Sequence, residues 1–157
     1  MITNDFKIQS HTSFDGLSTI EKIKVVNFLH IHLEEFGDEK NDIRKAIDYA
    51  MKEISSPGGF VLTAWDQQRI IGAVVVNKTG MSGYIPENIL VYIAIHNEYR
   101  GKGLGKKLTK KALEAASGDM ALHVEPDNHA VFLYEKLGFE SKYIEMRYKK
   151  KYNIVIT

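Results

Sequence analysis

"YIAIHNEYRGKGLGKKLTKKALEAASG", Tyr92 to Gly118, joins an apolar run, a polar turn, glycines at positions 101, 103 and 105, and a lysine-rich helical pattern. Glycine lets backbone N–H groups turn toward a ligand and lets the ligand approach closely. A helix that begins here has first N–H groups without intrahelical partners, and its dipole is positive at this end. Together these suit an anion, above all a phosphate. Arg100 and Lys102 add mobile positive charge. The other use of the same residues is a tight strand-to-helix turn with no ligand. Two familiar phosphate loops fail on spacing. The dinucleotide fingerprint needs G-x-G-x-x-G, and here the third glycine comes one residue early. The nucleotide-triphosphate loop needs four residues between its glycines and a hydroxyl after the lysine. Gly101 and Gly105 enclose only three residues, and Lys107 stands in the hydroxyl position.

Outward from this stretch, "FVLTAWD" (60–66), "RIIGAVVVNK" (69–78) and "NILVYIAIH" (88–96) are rich in β-branched and aromatic residues and read as strands. "DQQ" makes a tight turn that pairs the first two as a hairpin, and "TGMSGYIPE" is a longer loop before the third. Upstream, "FKIQS" (6–10) alternates as a short first strand. Ser18 or Thr19 caps a helix that turns Leu17, Ile20, Ile23, Val26, Leu29 and Leu33 inward and ends at Gly37. Asp38 or Asn41 starts a second, with Ile43, Ala46, Ile47, Ala50 and Ile54 on one face, before the break "SSPGG". Downstream, the spacing predicts a helix over 104–117 that buries Leu104, Leu108, Ala112, Ala115 and Ala116, with Gly118 as its cap. "MALHVE" (120–125) reads as a strand, "NHAVFLYEKLG" (128–138) as a helix and "KYIEMRYKK" (142–150) as a closing strand. The order β-α-α-β-β-β-α-β-α-β is mixed α/β around one central sheet.

The chain has 157 residues, 44% hydrophobic and 26% charged, with a formal net charge of +1. This is one ordinary globular domain over 1–157, with no linker or internal repeat. Near-neutral charge gives no general argument for nucleic acid or an anionic membrane. There are no cysteines, which excludes disulfides, cysteine nucleophiles and thiolate metal sites. No signal peptide or membrane-length apolar run is visible, so the expectation is a cytoplasmic, non-membrane protein. His30 and His32 in "HIH" lie two apart, do not share a helix face and have no partner set, so no metal is expected.

Arg100-x-x-Gly103-x-Gly105 resembles the acyl-CoA signature [QR]-x-x-G-x-[GA] of the GNAT superfamily of N-acetyltransferases. "IAIHNEYRGKGLGKKL" (93–108) is similar to that family's fourth strand, pyrophosphate loop and third helix. "LHVEPDNHAVFLYEKLGFE" (122–140) is similar to its fifth strand and fourth helix, and "FVLTAWDQQRIIGAVVV" (60–76) to its second and third strands. The likeness implies a central, mostly antiparallel sheet whose fourth and fifth strands splay around the CoA arm. It implies that backbone N–H groups of Gly101, Lys102, Gly103, Leu104, Gly105 and Lys106 hold the pyrophosphate with Arg100 adding its charge, and that Ile93, Ala94 and Ile95 pair with the peptide-like pantetheine arm. The fourth strand's N–H would polarise the thioester carbonyl. Asn128 would contact the pantetheine, and Tyr134 would give a proton to the departing thiolate. Here one residue separates Asn128 from Ala130, where many members have two.

His123, Glu125 and Glu87 are the candidates for a general base, the first two sharing a face if both lie on the fifth strand. Each has an alternative as a solvated charge or a satisfied histidine. By the same resemblance, His30, His32, Glu34, Glu35, Phe36 and Tyr84 would border an acceptor pocket. The implied activity is transfer of an acetyl group from acetyl-CoA to a primary amine of a small molecule, peptide or protein in a ternary complex. A non-catalytic acyl-CoA sensor on the same fold is the alternative. A nucleic-acid binder using "GKGLGKKLTKK" ranks below both, because its lysines are one face of an amphipathic helix without interleaved aromatics. Exposed sheet edges would allow a homodimer.

Overall fold

The computed structural model of the chain describes residues 6–151. Five strands form one sheet in chain order: β1 (Lys7–His11), β2 (Gly59–Asp66), β3 (Arg69–Lys78), β4 (Asn88–Ile95) and β5 (Met120–Leu122). The first four are antiparallel to their neighbours, and β5 runs parallel to β4. Helices α1 (Thr19–His32) and α2 (Lys40–Ala50) connect β1 to β2. Helix α3 (Leu104–Ala115) crosses from β4 to β5, and α4 (Ala130–Lys136) follows. Successive strand residues point to opposite faces, so the apolar runs of β2 to β4 serve two layers. Val61, Ala73, Val75, Tyr92 and Ala94 pack under α1 and α2. Leu62, Val74, Val76 and Leu90 pack under Leu104, Leu108 and Ala112 of α3.

The local chemistry explains the element ends. Ser18 Oγ accepts the Glu21 N–H and Glu21 Oε1 accepts the Ser18 N–H, both at 3.1 Å, a reciprocal cap that starts α1. A two-residue turn, with Gln67 at φ 54°, closes the β2–β3 hairpin. α1 buries Val25, Val26, Phe28 and Leu29, while Ile20 and Ile23, expected inward, are 67% and 51% exposed. The helix is apolar on two sides, and the side opposite Ile43 and Ile47 of α2 is the one that packs. α2 ends at Ala50, where Lys52 turns the chain at φ 56°, leaving Ile54 outside the helix and exposed. α3 stops at Ala115, which is exposed, and Gly118 takes φ 89° beyond it.

Two strand expectations are corrected. β5 ends at Leu122, so His123 and Glu125 are not strand residues. The run 142–150 forms no strand, and its Tyr143, Ile144, Met146 and Tyr148 are 81–89% exposed. Alternation gives a segment two faces but does not give it a neighbour, and no described strand lies beside this one to complete a ladder. The observed order among described residues is therefore β-α-α-β-β-β-α-β-α.

One irregularity shapes everything that follows. Val75 faces Tyr92 and Val76 faces Leu90, so Val91 is an extra residue, a bulge in β4. Pairing between β4 and β5 ends one residue earlier, at Leu90 with Leu122. Past Leu90 the pairing with β5 stops, and among the described residues β4 from Val91 to Ile95 has no strand along its outer edge.

Candidate functional site

The open edge of β4 is the first component. His96 N–H donates to Ile71 O of β3 at 2.8 Å. In an antiparallel strand the backbone groups of alternate residues point the same way. Ala94 is therefore committed to Ala73 of β3, and the N–H groups of Ile93 and Ile95 point into the opening. Of the three residues expected to meet a pantetheine arm, Ile93 and Ile95 offer backbone groups there and Ala94 does not. The carbonyl of Ile95 accepts the Arg100 Nε–H at 3.0 Å.

The glycine turn is the second component. After β4, a 3-10 turn over Asn97–Tyr99 is held by His96 Nδ1, which accepts the Glu98 N–H at 3.1 Å. Tyr99 is fixed by its hydroxyl, which donates to Asp66 at 2.6 Å, and by an edge contact with Phe6. Gly101 and Gly103 then adopt φ 76° and 84°, the left-handed region, with nothing within 4 Å of where a side chain would begin. Glycine is required twice: for the backbone conformation and for the open approach. Lys107 N–H bonds Gly103 O at 3.0 Å. The N–H groups from Gly101 to Lys106 have no intramolecular acceptor among the described residues. A row of unpartnered N–H groups at the positive end of a helix holds an anion well. Gly105 sits in the first turn of α3, close to Leu133 of α4 and Ile95 of β4, so α4 closes over the junction.

Tyr134 of α4 is buried, with its ring edge-on to Phe139. Its hydroxyl has no hydrogen-bond partner among the described residues, and burial pushes its pKa up to about 12. Asn128 Oδ1 accepts the Ala130 N–H at 2.9 Å, which starts α4 and leaves the amide nitrogen for another partner. His123 and Glu125 are exposed and follow β5 without side-chain partners among the described residues. Glu87 lies at the other end of β4, roughly 20 Å along the strand from Ile93 at the usual rise per residue. It accepts the Asp119 N–H at 2.6 Å and the Gly83 N–H at 3.3 Å, and the Asp119 bond first, then other backbone N–H groups, hold its pKa below the usual carboxylate range.

The expected acceptor border divides in two. His32 and Glu34, at and just past the C-terminal end of α1, bond Arg100, while His30, within α1, contacts the Asp38 carbonyl. His32 stacks on His96 at 4.3 Å and on Phe28 at 4.6 Å, and burial, followed by the nearby His96 and Arg100, pushes its pKa down. Glu35 and Phe36 belong to a 3-10 turn over Glu34–Phe36. Tyr84 lies in the loop between β3 and β4, at the opposite end of β4 and 80% exposed. A residue that sequence reasoning did not single out stands between these ends: Tyr92, whose hydroxyl donates to Asp38 at 2.5 Å. The sequence places it only within the strand-like run 88–96. Among the described residues no cluster of three or more metal-ligating side chains occurs, and no helix is long and apolar enough to cross a membrane.

A bulged fourth strand, an opening beside it and an N–H-lined glycine turn are the arrangement that the resemblance to the GNAT superfamily implies. The model of the acetyltransferase (GNAT) family matches residues 25–139, and the chain belongs to that family. It is 35% identical over 98 residues to N-alpha-acetyltransferase 30 of Schizosaccharomyces pombe, covering 59% of this chain and 61% of that protein. It is 31% identical over 134 residues to mycothiol acetyltransferase of Kocuria rhizophila, covering 78% of this chain and 44% of that protein. The chain thus spans about half to three-fifths of the length of these curated relatives. The crystal structure of the NatC complex bound to Gag peptide and CoA contains a similar fold, with a TM-score of 0.66 at 19% identity, over 90% of this chain and 86% of that one.

Proposed function

We propose that this chain transfers an acetyl group from acetyl-CoA to the α-amine of a peptide. The observation that carries the donor half is the row of unpartnered N–H groups from Gly101 to Lys106 beside the open edge of β4. These groups suit the pyrophosphate, and Ile93 and Ile95 suit the amide-bearing pantetheine, whose groups pair as an added strand would. The N–H of Ile93 or Ile95 polarises the thioester carbonyl, which the amine attacks directly. The Tyr134 phenol, protonated at any working pH because burial raises its pKa to about 12, supplies the proton that the departing sulfur takes up. The Asn128 amide nitrogen, left free by the oxygen that caps α4, steadies the pantetheine.

The acceptor follows from where the three candidate bases stand among the described residues. Glu87 is spent on backbone N–H groups at the far end of β4, and His123 and Glu125 are exposed and unpartnered. None is held toward the opening by a neighbour. A lysine amine with pKa ~10.4 pays about 4.6 kcal/mol to be neutral at pH 7, whereas a peptide α-amine at ~7.7–8.0 needs about 1–1.4 kcal/mol. An α-amine can lose its proton to water without a strong protein base. The similarity to N-alpha-acetyltransferase 30 supports the same acceptor class.

Thiol release from acetyl-CoA tests this. The acceptors are a lysine-free peptide with a free N-terminus, an N-blocked peptide with one lysine, and a linear polyamine. The free N-terminus is expected to give the highest kcat/KM, by about ten-fold or more, on the strength of the pKa difference. Faster turnover of the lysine peptide or the polyamine overturns the acceptor assignment. Binding of acetyl-CoA without turnover of any amine favours the sensor alternative, and absence of binding removes the donor site as well.

A further inference from the structure

Arg100 carries the charge expected to meet a phosphate, yet its guanidinium is committed to partners within the protein. Nε donates to Ile95 O at 3.0 Å, Nη1 to Glu34 Oε1 at 3.0 Å and Nη2 to His32 O at 2.8 Å. Both edges with which a guanidinium grips an oxyanion already include committed nitrogens. The three acceptors belong to the last residue of β4 and to the end of α1, more than sixty residues away in sequence.

A second observation sits at the other end of these bonds. Glu34 adopts φ 55°, the left-handed region, where a non-glycine residue with a long side chain is uncommon. Such a conformation persists only where its surroundings over-determine it. Here the turn's own backbone bonds, from Phe36 N–H to Leu33 O and Gly37 N–H to Glu34 O, are joined by the bonds from Arg100 to the His32 carbonyl and the Glu34 carboxylate. The chain accepts a strained turn at the end of α1 and gains a brace between that turn and the base of the glycine turn.

We propose that Arg100 is a positioning residue, which pins the start of the phosphate-binding turn to the end of α1 through Glu34 and His32. The proposal rests on the reading of the glycine turn as the acetyl-CoA site. It makes a prediction of opposite sign to simple electrostatics. Glu34 is a carboxylate close to a site for an anion. If charge alone mattered, Glu34→Gln would tighten acetyl-CoA binding, because it removes a repulsive negative charge. If Glu34 acts by bracing Arg100, the same substitution weakens binding.

The test measures acetyl-CoA affinity by calorimetry for the native chain, Glu34→Gln, Arg100→Lys, Arg100→Gln and the Glu34→Gln/Arg100→Gln double variant. The pair is half exposed, so the expected losses are about two- to five-fold, the range such pairs carry. Arg100→Lys keeps the charge and loses the fork, and is expected to lose as much as Arg100→Gln. The double variant should lose no more than either single one, as residues acting through one contact do. KM for acetyl-CoA should rise while kcat stays within two-fold, with the ligand-free Tm nearly unmoved. Tighter or unchanged binding by Glu34→Gln overturns the proposal, as does full retention by Arg100→Lys. A drop in ligand-free Tm that accounts for every loss would make the brace a general stabiliser and also overturn it. Glu34→Gly, which relieves the left-handed strain but removes the carboxylate, separates the two: its ligand-free Tm should hold or rise while affinity falls. If the native chain itself binds no acetyl-CoA, the donor-site reading fails first, independently of these variants.

Discussion

The two ends of β4 are built from similar parts and come to opposite states. At the start of the strand, Glu87 accepts N–H groups from Gly83 and Asp119, and Asn88 Nδ2 donates to the carbonyls of Ser117 and Asp119 at 2.7 and 3.1 Å. Glycines 83 and 118 there adopt φ 76° and 89°. At the end of the strand, Gly101 and Gly103 adopt nearly the same values, but among the described residues no carboxylate or carbonyl meets the N–H groups that follow. One end contains its own anion; the other leaves the position for one from outside. Left-handed glycines alone do not mark a binding site. The mark is a set of N–H groups whose acceptor the chain does not supply.

This contrast can be broken at several points. The largest effect is expected at the open end from Tyr134→Phe, which should leave acetyl-CoA affinity nearly intact and lower turnover by roughly ten- to a thousand-fold, the usual reach of a general acid. Unchanged turnover at saturating substrate would return Tyr134 to a packing role. Gly103→Val comes next. A β-branched residue at φ 84° strains the turn and fills the approach, and acetyl-CoA affinity measured by calorimetry should fall by about ten- to a hundred-fold. Retained affinity would mean that the anion is held elsewhere.

Glu87→Gln addresses the closed end and should behave in the opposite way. The Tm should drop by no more than a few degrees, and acetyl-CoA affinity and the pH–rate profile should not change. The folded-state pKa of Glu87 is lowered, so its contribution is present above the ordinary carboxylate value and is lost as pH falls through the lowered one. The Tm difference between native chain and variant should accordingly close below about pH 4.5. A changed pH–rate profile would restore Glu87 as a base. The smallest expected effect lies in the shape of that profile. An α-amine acceptor gives a rise with an apparent pKa near ~7.7–8.0. Tyr134, with its pKa near 12, should cause no descending limb up to pH 10.

What the sequence disclosed and what it hid follow one physical division. The hairpin from Gly59 to Lys78, the glycine turn and the start of α3 depend on residues within a few positions of one another, and their chemistry could be read directly. The brace from Arg100 to Glu34 and His32, the clamp from Glu87 to Asp119 and the Tyr92–Asp38 bond join residues 32 to 68 positions apart and leave no local pattern. α1 misled because an amphipathic period cannot choose between two apolar sides; only the position of α2 chooses. The 142–150 run misled because alternation describes a strand's faces and is silent about its edges.

The glycine turn has a consequence for how such a protein changes over generations. Its recognition groups are main-chain amides, which every residue but proline carries, so most substitutions at exposed positions such as Lys102 and Lys106 leave the groups themselves in place. Selection acts there on a torsion angle more than on a side chain, and only Gly101 and Gly103 are tightly tied to it. A site of this kind is inherited as a shape. The whole fold shows the same tolerance: this chain shares it with a structure to which it is 19% identical.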